Sequence, residues 1–219
     1  MQSTTDSALL ERTRDPGRVL ALSDGVFAII LTLLVLEIHV PDLNAGQSLS
    51  DAVREIQPSF IAFLISFVVV AIAWAGHRDL FALIERTNPT LVWLNIIYLL
   101  PLCMIPFGAS LLAKFDRDAT ALKLYGALLI GVSISRLAIW FYATGKPYIL
   151  FAPIDRRSRR IGSGLQVAQV TCSGIAIVLA DQRPTISLGI YAGIPILYFI
   201  AMVVIRETAL PNSAAIDFT

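Results

Sequence analysis

The sequence predicts an all-α, polytopic membrane protein with six transmembrane helices and both termini in the cytoplasm. Composition is the first reason. Of 219 residues, 56% belong to the set AVILMFWYC and 15% are charged, with a mean hydropathy of +0.73. An ordinary soluble domain is about 45–50% apolar and about a quarter charged. The second reason is that the apolar residues gather in runs of about 20, the length a helix needs to cross a bilayer. None of these runs shows the period-two alternation of a membrane barrel strand. The third is an uneven division of basic residues between alternate connecting segments. Together these features exclude a disordered chain, a secreted disulfide scaffold and a soluble enzyme with a polar surface. The net charge of +1, with scattered basic residues, leaves no footprint for nucleic acid.

Residues 1–17 are polar and mixed in charge and read as a cytoplasmic tail. The first span covers roughly Arg18–His39. Its short charged prefix is that of a signal peptide, but no small-residue cleavage pattern follows, so it is a retained helix. The second span is roughly Pro58–Gly76, with Pro58 suited to a first helical turn. The third, roughly Pro89–Leu112, contains Pro101 and Pro106, and the sixth, roughly Thr185–Ile205, contains Pro195. Each of these prolines removes a backbone donor and predicts a kink. The fourth span is roughly Ala121–Thr144 and the fifth roughly Ile161–Ala180. The membrane domain therefore occupies residues 18–206, and residues 207–219 form a second cytoplasmic tail.

With the amino terminus inside, the inner segments hold eleven Lys and Arg residues and the outer segments five. The positive-inside rule then places both termini in the cytoplasm of a cell membrane. The stretch Asp155–Arg160, reading DRRSRR, is the strongest marker and sits where it meets anionic headgroups. Cys103 and Cys172 each lie within an apolar run and read as small buried hydrophobes, not metal ligands. No cofactor is implied.

Ionisable groups within spans are costly and face the bundle interior. Asp24 in the first span lies too far from Arg18 for a helical pair, so its partner is elsewhere. His77 and Arg78 end the second span at the same level and are placed to pair with it, with Arg18 joining them. Asn95 in the third span is a candidate for interhelical hydrogen bonding. Arg136 lies about two turns from the inner end of the fourth span, within snorkelling reach of the interface. Ile29, Thr32, Leu33 and Leu36 share one face of the first helix. Periodicity alone fits ordinary core or lipid contact; copies of the face around a symmetry axis would instead make a hydrophobic constriction with a ring of hydroxyls.

The string Arg18-Val-Leu-Ala-Leu-Ser-Asp24-Gly-Val-Phe-Ala-Ile, continuing to Glu37-Ile, resembles the first helix of the endosomal/lysosomal potassium channels and their prokaryotic relatives, the transmembrane protein 175 family. That family carries Arg-x-x-x-Phe-Ser-Asp; Arg18, Ser23 and Asp24 match, and Leu22 replaces the phenylalanine. Trp74-x-x-His77-x-x-Leu80-Phe81, and Trp93-Leu94-Asn95 followed by Pro106-Phe107, agree as well, with Arg78 where the family often pairs a second histidine. The resemblance implies a potassium-permeable channel without a TVGYG filter, and that string is absent from the sequence. It implies a homotetramer whose partners are its own copies, K+ and the lipid bilayer, with the first helix of each subunit lining the pore. It places the constriction on Ile29, Leu33 and Leu36, and cation selectivity on Thr32, where K+ binds only transiently. Arg18, Ser23, Asp24, Trp74, His77 and Asn95 would brace the pore helix.

Two rival functions are weaker on the sequence. A secondary or proton-coupled transporter would use Asp24, Glu37 or His77 as proton carrier, yet no carboxylate falls near mid-membrane and the two halves show no repeat. An intramembrane enzyme lacks a constellation, because His39 and His77 lie at opposite faces with no nucleophile or carboxylate cluster around either.

Overall fold

The computed structural model describes residues 15–39, 41 and 48–209. The expected tails fall, for the most part, outside the described residues. Regular structure among those residues is helical: α1 (Gly17–Leu36), α2 (Leu49–Glu55), α3 (Gln57–Phe81), α4 (Pro89–Cys103), α5 (Ile105–Lys114), α6 (Ala119–Thr144), a 3-10 turn (Pro147–Ile149), α7 (Arg156–Leu179) and α8 (Pro184–Ala209). Five stretches are long and apolar enough to cross a bilayer: α1, α3, α4 with α5, α6 and α7. Residues Pro184–Tyr198 of α8 add a further apolar helix.

Local sequence sets the helix ends. Asn88, Asp118 and Asp155 sit in extended backbone and accept hydrogen bonds from the first-turn amides of α4, α6 and α7. Proline at the start of α3 and α4 uses a position whose N–H has no helical partner. The third span breaks at Met104. Pro106 cannot donate to the turn behind it, and the chain closes with a tighter bond from Met104 N to Pro101 O at 3.2 Å. The expected kink is thus a division into two helices. The first part, α4, packs mainly on α6, and the second, α5, on α3 and α6. Two further boundaries differ from the expectation. Helix α3 runs one turn beyond Gly76, carrying His77 inside the helix, and α7 begins at Arg156, so the basic stretch is its first turns and not a loop. The short α2, capped by Ser48, was not expected.

At one end of the bundle the α3–α4 and α6–α7 connections are stitched together. Glu85 N and Arg86 N donate to Ile149 O at 2.8 and 3.2 Å, and Phe151 N donates to Leu83 O at 3.1 Å. At the other end Lys123 Nζ meets Asp181 at 2.7 Å, tying α6 to the α7–α8 turn. Between the ends, buried hydroxyls find partners, as a dry interior requires. Ser66 and Tyr125 bond at 3.0 Å, joining α3 to α6. Tyr191 donates to Leu122 O at 2.8 Å, and its hydroxyl lies where a Cβ on Gly126 would sit. That close approach of α8 to α6 requires glycine.

The capping carboxyls carry a pH dependence. The backbone N–H of Thr120 holds the Asp118 carboxyl below its ordinary range, and the hydroxyl and N–H of Ser158 do the same to Asp155. A carboxyl held low in the folded state stabilises it above the unfolded pKa, and that contribution is lost as pH falls through the folded value. Acidification below about pH 4 therefore weakens these helix starts. Thermal unfolding in micelles at neutral and acid pH should show a smaller acid-induced drop for the double variant Asp118→Ala, Asp155→Ala.

Candidate functional site

Helix α1 has two contrasting faces. Val19, Ser23, Phe27, Ile30 and Leu34, spaced by three or four residues, are its buried seam. The face turned away from it carries Arg18, Leu22, Gly25, Ile29, Thr32 and Leu36, all exposed and spaced 4-3-4-3-4. The spacing is that of a helix seam suited to packing along its length. Phe27, Ile30 and Leu34 are 1%, 2% and 0% exposed, whereas Ile29, Leu33 and Leu36 are 59%, 42% and 68% exposed. The stripe noted in the sequence is therefore uncovered by its own chain.

Thr32 lies in the middle of that stripe. Its hydroxyl donates into the helix, to Ile29 O at 2.8 Å and Ala28 O at 3.2 Å. The hydroxyl hydrogen is thereby occupied, and the oxygen lone pairs are left facing outward. That polarity suits a cation.

The buried seam is held by a polar fork. Asn95 Nδ2 donates to Ser23 Oγ at 2.9 Å, and Ser23 donates in turn to Val19 O at 2.9 Å. On its other side Asn95 Oδ1 lies 2.8 Å from His77 Nε2. Because the amide oxygen only accepts, neutral His77 carries its proton on Nε2. Nδ1 is then a buried acceptor with no hydrogen-bond partner among the described residues. The ring is gripped by aromatic faces instead: it stacks on Phe81 and Tyr98 at centroid distances of 4.4 and 5.5 Å, and Phe27 approaches at 5.7 Å. One asparagine thus links α1, α3 and α4.

A second clamp lies closer to the surface. Trp74 Nε1 donates to Asp24 Oδ1 at 2.9 Å. The Arg78 guanidinium sits 5.3 Å above the Trp74 ring while bonding Asp79 at 2.9 Å. The expectation that His77 or Arg78 pairs with Asp24 is corrected here. His77 is too deeply buried to face a carboxylate at the exposed edge of α1, and Arg78 reaches Asp24 only through the tryptophan. Arg18 stays exposed, outside both clamps. Of the six expected bracing residues, the structure joins Ser23, Asn95 and His77 in one group, and Asp24 and Trp74 in another.

Sequence reasoning missed the residues that shape these groups. Phe27 is detectable four residues after Ser23 on the same face and Phe81 stands in the Trp74-x-x-His77-x-x-Leu80-Phe81 motif without an assigned role, whereas Tyr98 carries no signal of its own. Arg136 does not snorkel. It turns inward to Gly76 O at 3.0 Å and Tyr198 at 2.7 Å. Among the described residues no group of three His, Cys, Asp or Glu side chains is placed to hold a metal ion.

Residues 18–106, which contain both clamps and the exposed stripe, match the sequence profile of the family described as the endosomal/lysosomal potassium channel TMEM175. A potassium channel of Chamaesiphon minutus is 31% identical over 178 residues, covering 76% of this chain and 88% of the relative. The chain belongs to the TMEM175 family. A potassium channel of Streptomyces collinus is 31% identical over 150 residues, covering 67% of this chain and 73% of that one. The crystal structure of a lysosomal potassium-selective TMEM175 homolog from Chamaesiphon minutus superposes with a TM-score of 0.75 at 28% identity, covering 84% of this chain and 96% of its own. In this TMEM175 member the matched region ends at Pro106, just past the break in the third span.

The fork has a measurable weight. Asn95→Leu removes both its bonds and strands the His77 Nε2–H, while Ser23 keeps its bond to Val19 O, at a cost of about 1–3 kcal/mol. Thermal unfolding of the variant in micelles should be lowered accordingly, whereas Thr32→Ala, at an exposed position, should leave the unfolding temperature nearly unchanged.

Proposed function

We propose that this protein is a potassium-permeable channel in the cell membrane, conducting passively through a central pore lined by α1 from each of four subunits. The observation that carries the reading is the exposed seam of α1: large apolar side chains at Ile29, Leu33 and Leu36 around one outward-facing hydroxyl, on a helix fixed from behind by two polar clamps. Such a face has no use for water in one copy, yet four copies about an axis enclose a narrow apolar throat. The relatives' description as potassium channels supports the same reading.

In this mechanism the apolar rings of Ile29, Leu33 and Leu36 set the throat and resist hydration. An ion crossing them loses part of its water shell, which K+ sheds more readily than Na+. The Thr32 hydroxyls, with their hydrogens committed to the helix backbone, present lone pairs that replace some of the lost water. Selectivity is then set by four weak oxygen ligands and not by a cage of backbone carbonyls, and it is accordingly modest. Ser23, Asp24, Trp74, His77 and Asn95 hold the rotation of α1 that points these side chains to the axis. Six spans and cytoplasmic termini complete the arrangement, with the basic turns of α7 at the inner leaflet.

Purified protein in planar bilayers tests the assignment. Currents should follow the K+ gradient without saturating as a carrier would. Thr32→Ala should lower the K+/Na+ permeability ratio several-fold, and Ile29→Ser should raise unitary conductance. Unchanged ratio and conductance in both variants would remove α1 from the pore.

A further inference from the structure

We propose that Arg136 is a positioning residue for the pore, coupling the peripheral helices α7 and α8 to α1 through the carbonyl of Gly76. This rests on the reading of α1 as the pore helix. Arg136 lies eight positions before the end of α6, about 12 Å in at 1.5 Å per residue. A guanidinium at that depth needs a reason to stay. Both of its hydrogen bonds go to neutral oxygens: Nη1 donates to the Tyr198 hydroxyl on α8 at 2.7 Å, and Nη2 to Gly76 O on α3 at 3.0 Å. Tyr198 also accepts from Gln166 Nε2 on α7 at 2.8 Å. Four helices are therefore joined through the Arg136–Tyr198 pair.

The point of attachment on α3 gives the cluster its meaning. Gly76 lies between Trp74, which holds Asp24, and His77, which holds Asn95 and through it Ser23. Both clamps on α1 spring from the four-residue segment Trp74–His77 whose carbonyl at Gly76 Arg136 grips. The grip depends on glycine, because a Cβ at residue 76 would overlap the guanidinium of Arg136. A cavity of ≈ 20 Å³ lies beside the group, lined in part by Gln169, Ile194 and Pro195. That space is about the size of one water, so the guanidinium is closely held by its neighbours. A change in the packing of α7 and α8 thus moves Arg136, and with it the segment that fixes the rotation of α1.

Because the clamps act on the inner part of α1 and Thr32 is further along, the coupling governs how often the pore is open, not which ion it prefers. Single-channel recording in bilayers should show a several-fold change in open probability for Arg136→Gln, with the K+/Na+ permeability ratio and unitary conductance of the parent. Arg136→Lys, which keeps the charge and can still reach one oxygen, should recover part of the change. If Arg136→Gln does not assemble, Tyr198→Phe supplies the same test, since it removes only the shared hydroxyl. Parental open probability in Tyr198→Phe and in whichever Arg136 variants assemble would overturn the proposal. Thr32→Ala separates the two readings. A selectivity change there with normal gating in the Arg136 and Tyr198 variants sinks the coupling alone, while an unchanged ratio and conductance in both Thr32→Ala and Ile29→Ser sink the pore assignment.

Discussion

A polar side chain buried in a membrane-spanning bundle has no water to fall back on, and the fork at Asn95 follows from that constraint. Its amide must give and accept within the protein, and only two groups in reach do so: the Ser23 hydroxyl on α1 and the His77 ring on α3. Each bond is modest, because a helix inserted alone also finds partners in the membrane. What the pair supplies is direction. Apolar packing of Phe27, Ile30 and Leu34 would tolerate a range of rotations of α1, whereas a hydrogen bond to Ser23 is met at one of them. The exposed seam points where it does because the other seam is tied.

How much of this was legible follows from what leaves a trace in a one-dimensional pattern. Spans are legible because the bilayer imposes a length and a composition, and five helical stretches long enough to cross, with a further apolar helix, are found where the runs lie. The Pro101 and Pro106 pair announced an interruption, though not that it would separate two helices. The exposed stripe was legible as a stripe, since period is a property of sequence, but its exposure was not, since exposure depends on which neighbours arrive. Pairings were the weakest part. Asp24 was expected to meet a cation and meets an indole; Arg136 was expected to reach for the interface and reaches for a carbonyl. Charge suggests electrostatic partners, while the structure uses hydrogen-bond geometry and a gap left by a glycine, and neither is visible in residue type alone.

The two ends of α1 are held by different physics. From Arg18 to Asp24 the helix has directional contacts, with Ser23 and Asp24 both bonded to other helices. From Ile29 to Leu36 its attachment is apolar contact, which is non-directional and gives way gradually. The part carrying the wide side chains is thus the freer part. A helix fixed at one end and merely packed at the other is suited to small rotations of its freer part.

The seam between the Ile84 and Leu150 segments has a different sort of consequence. Its three bonds are all between backbone atoms, so the joint that unites the α3–α4 and α6–α7 connections does not depend on which side chains those positions carry. Substitutions there can accumulate freely, with proline at residues 85, 86 or 151 the exception because it deletes the donor. Two chains with little sequence in common in these loops can therefore keep the same backbone joint. The surface of these connections can vary without disturbing the helices behind.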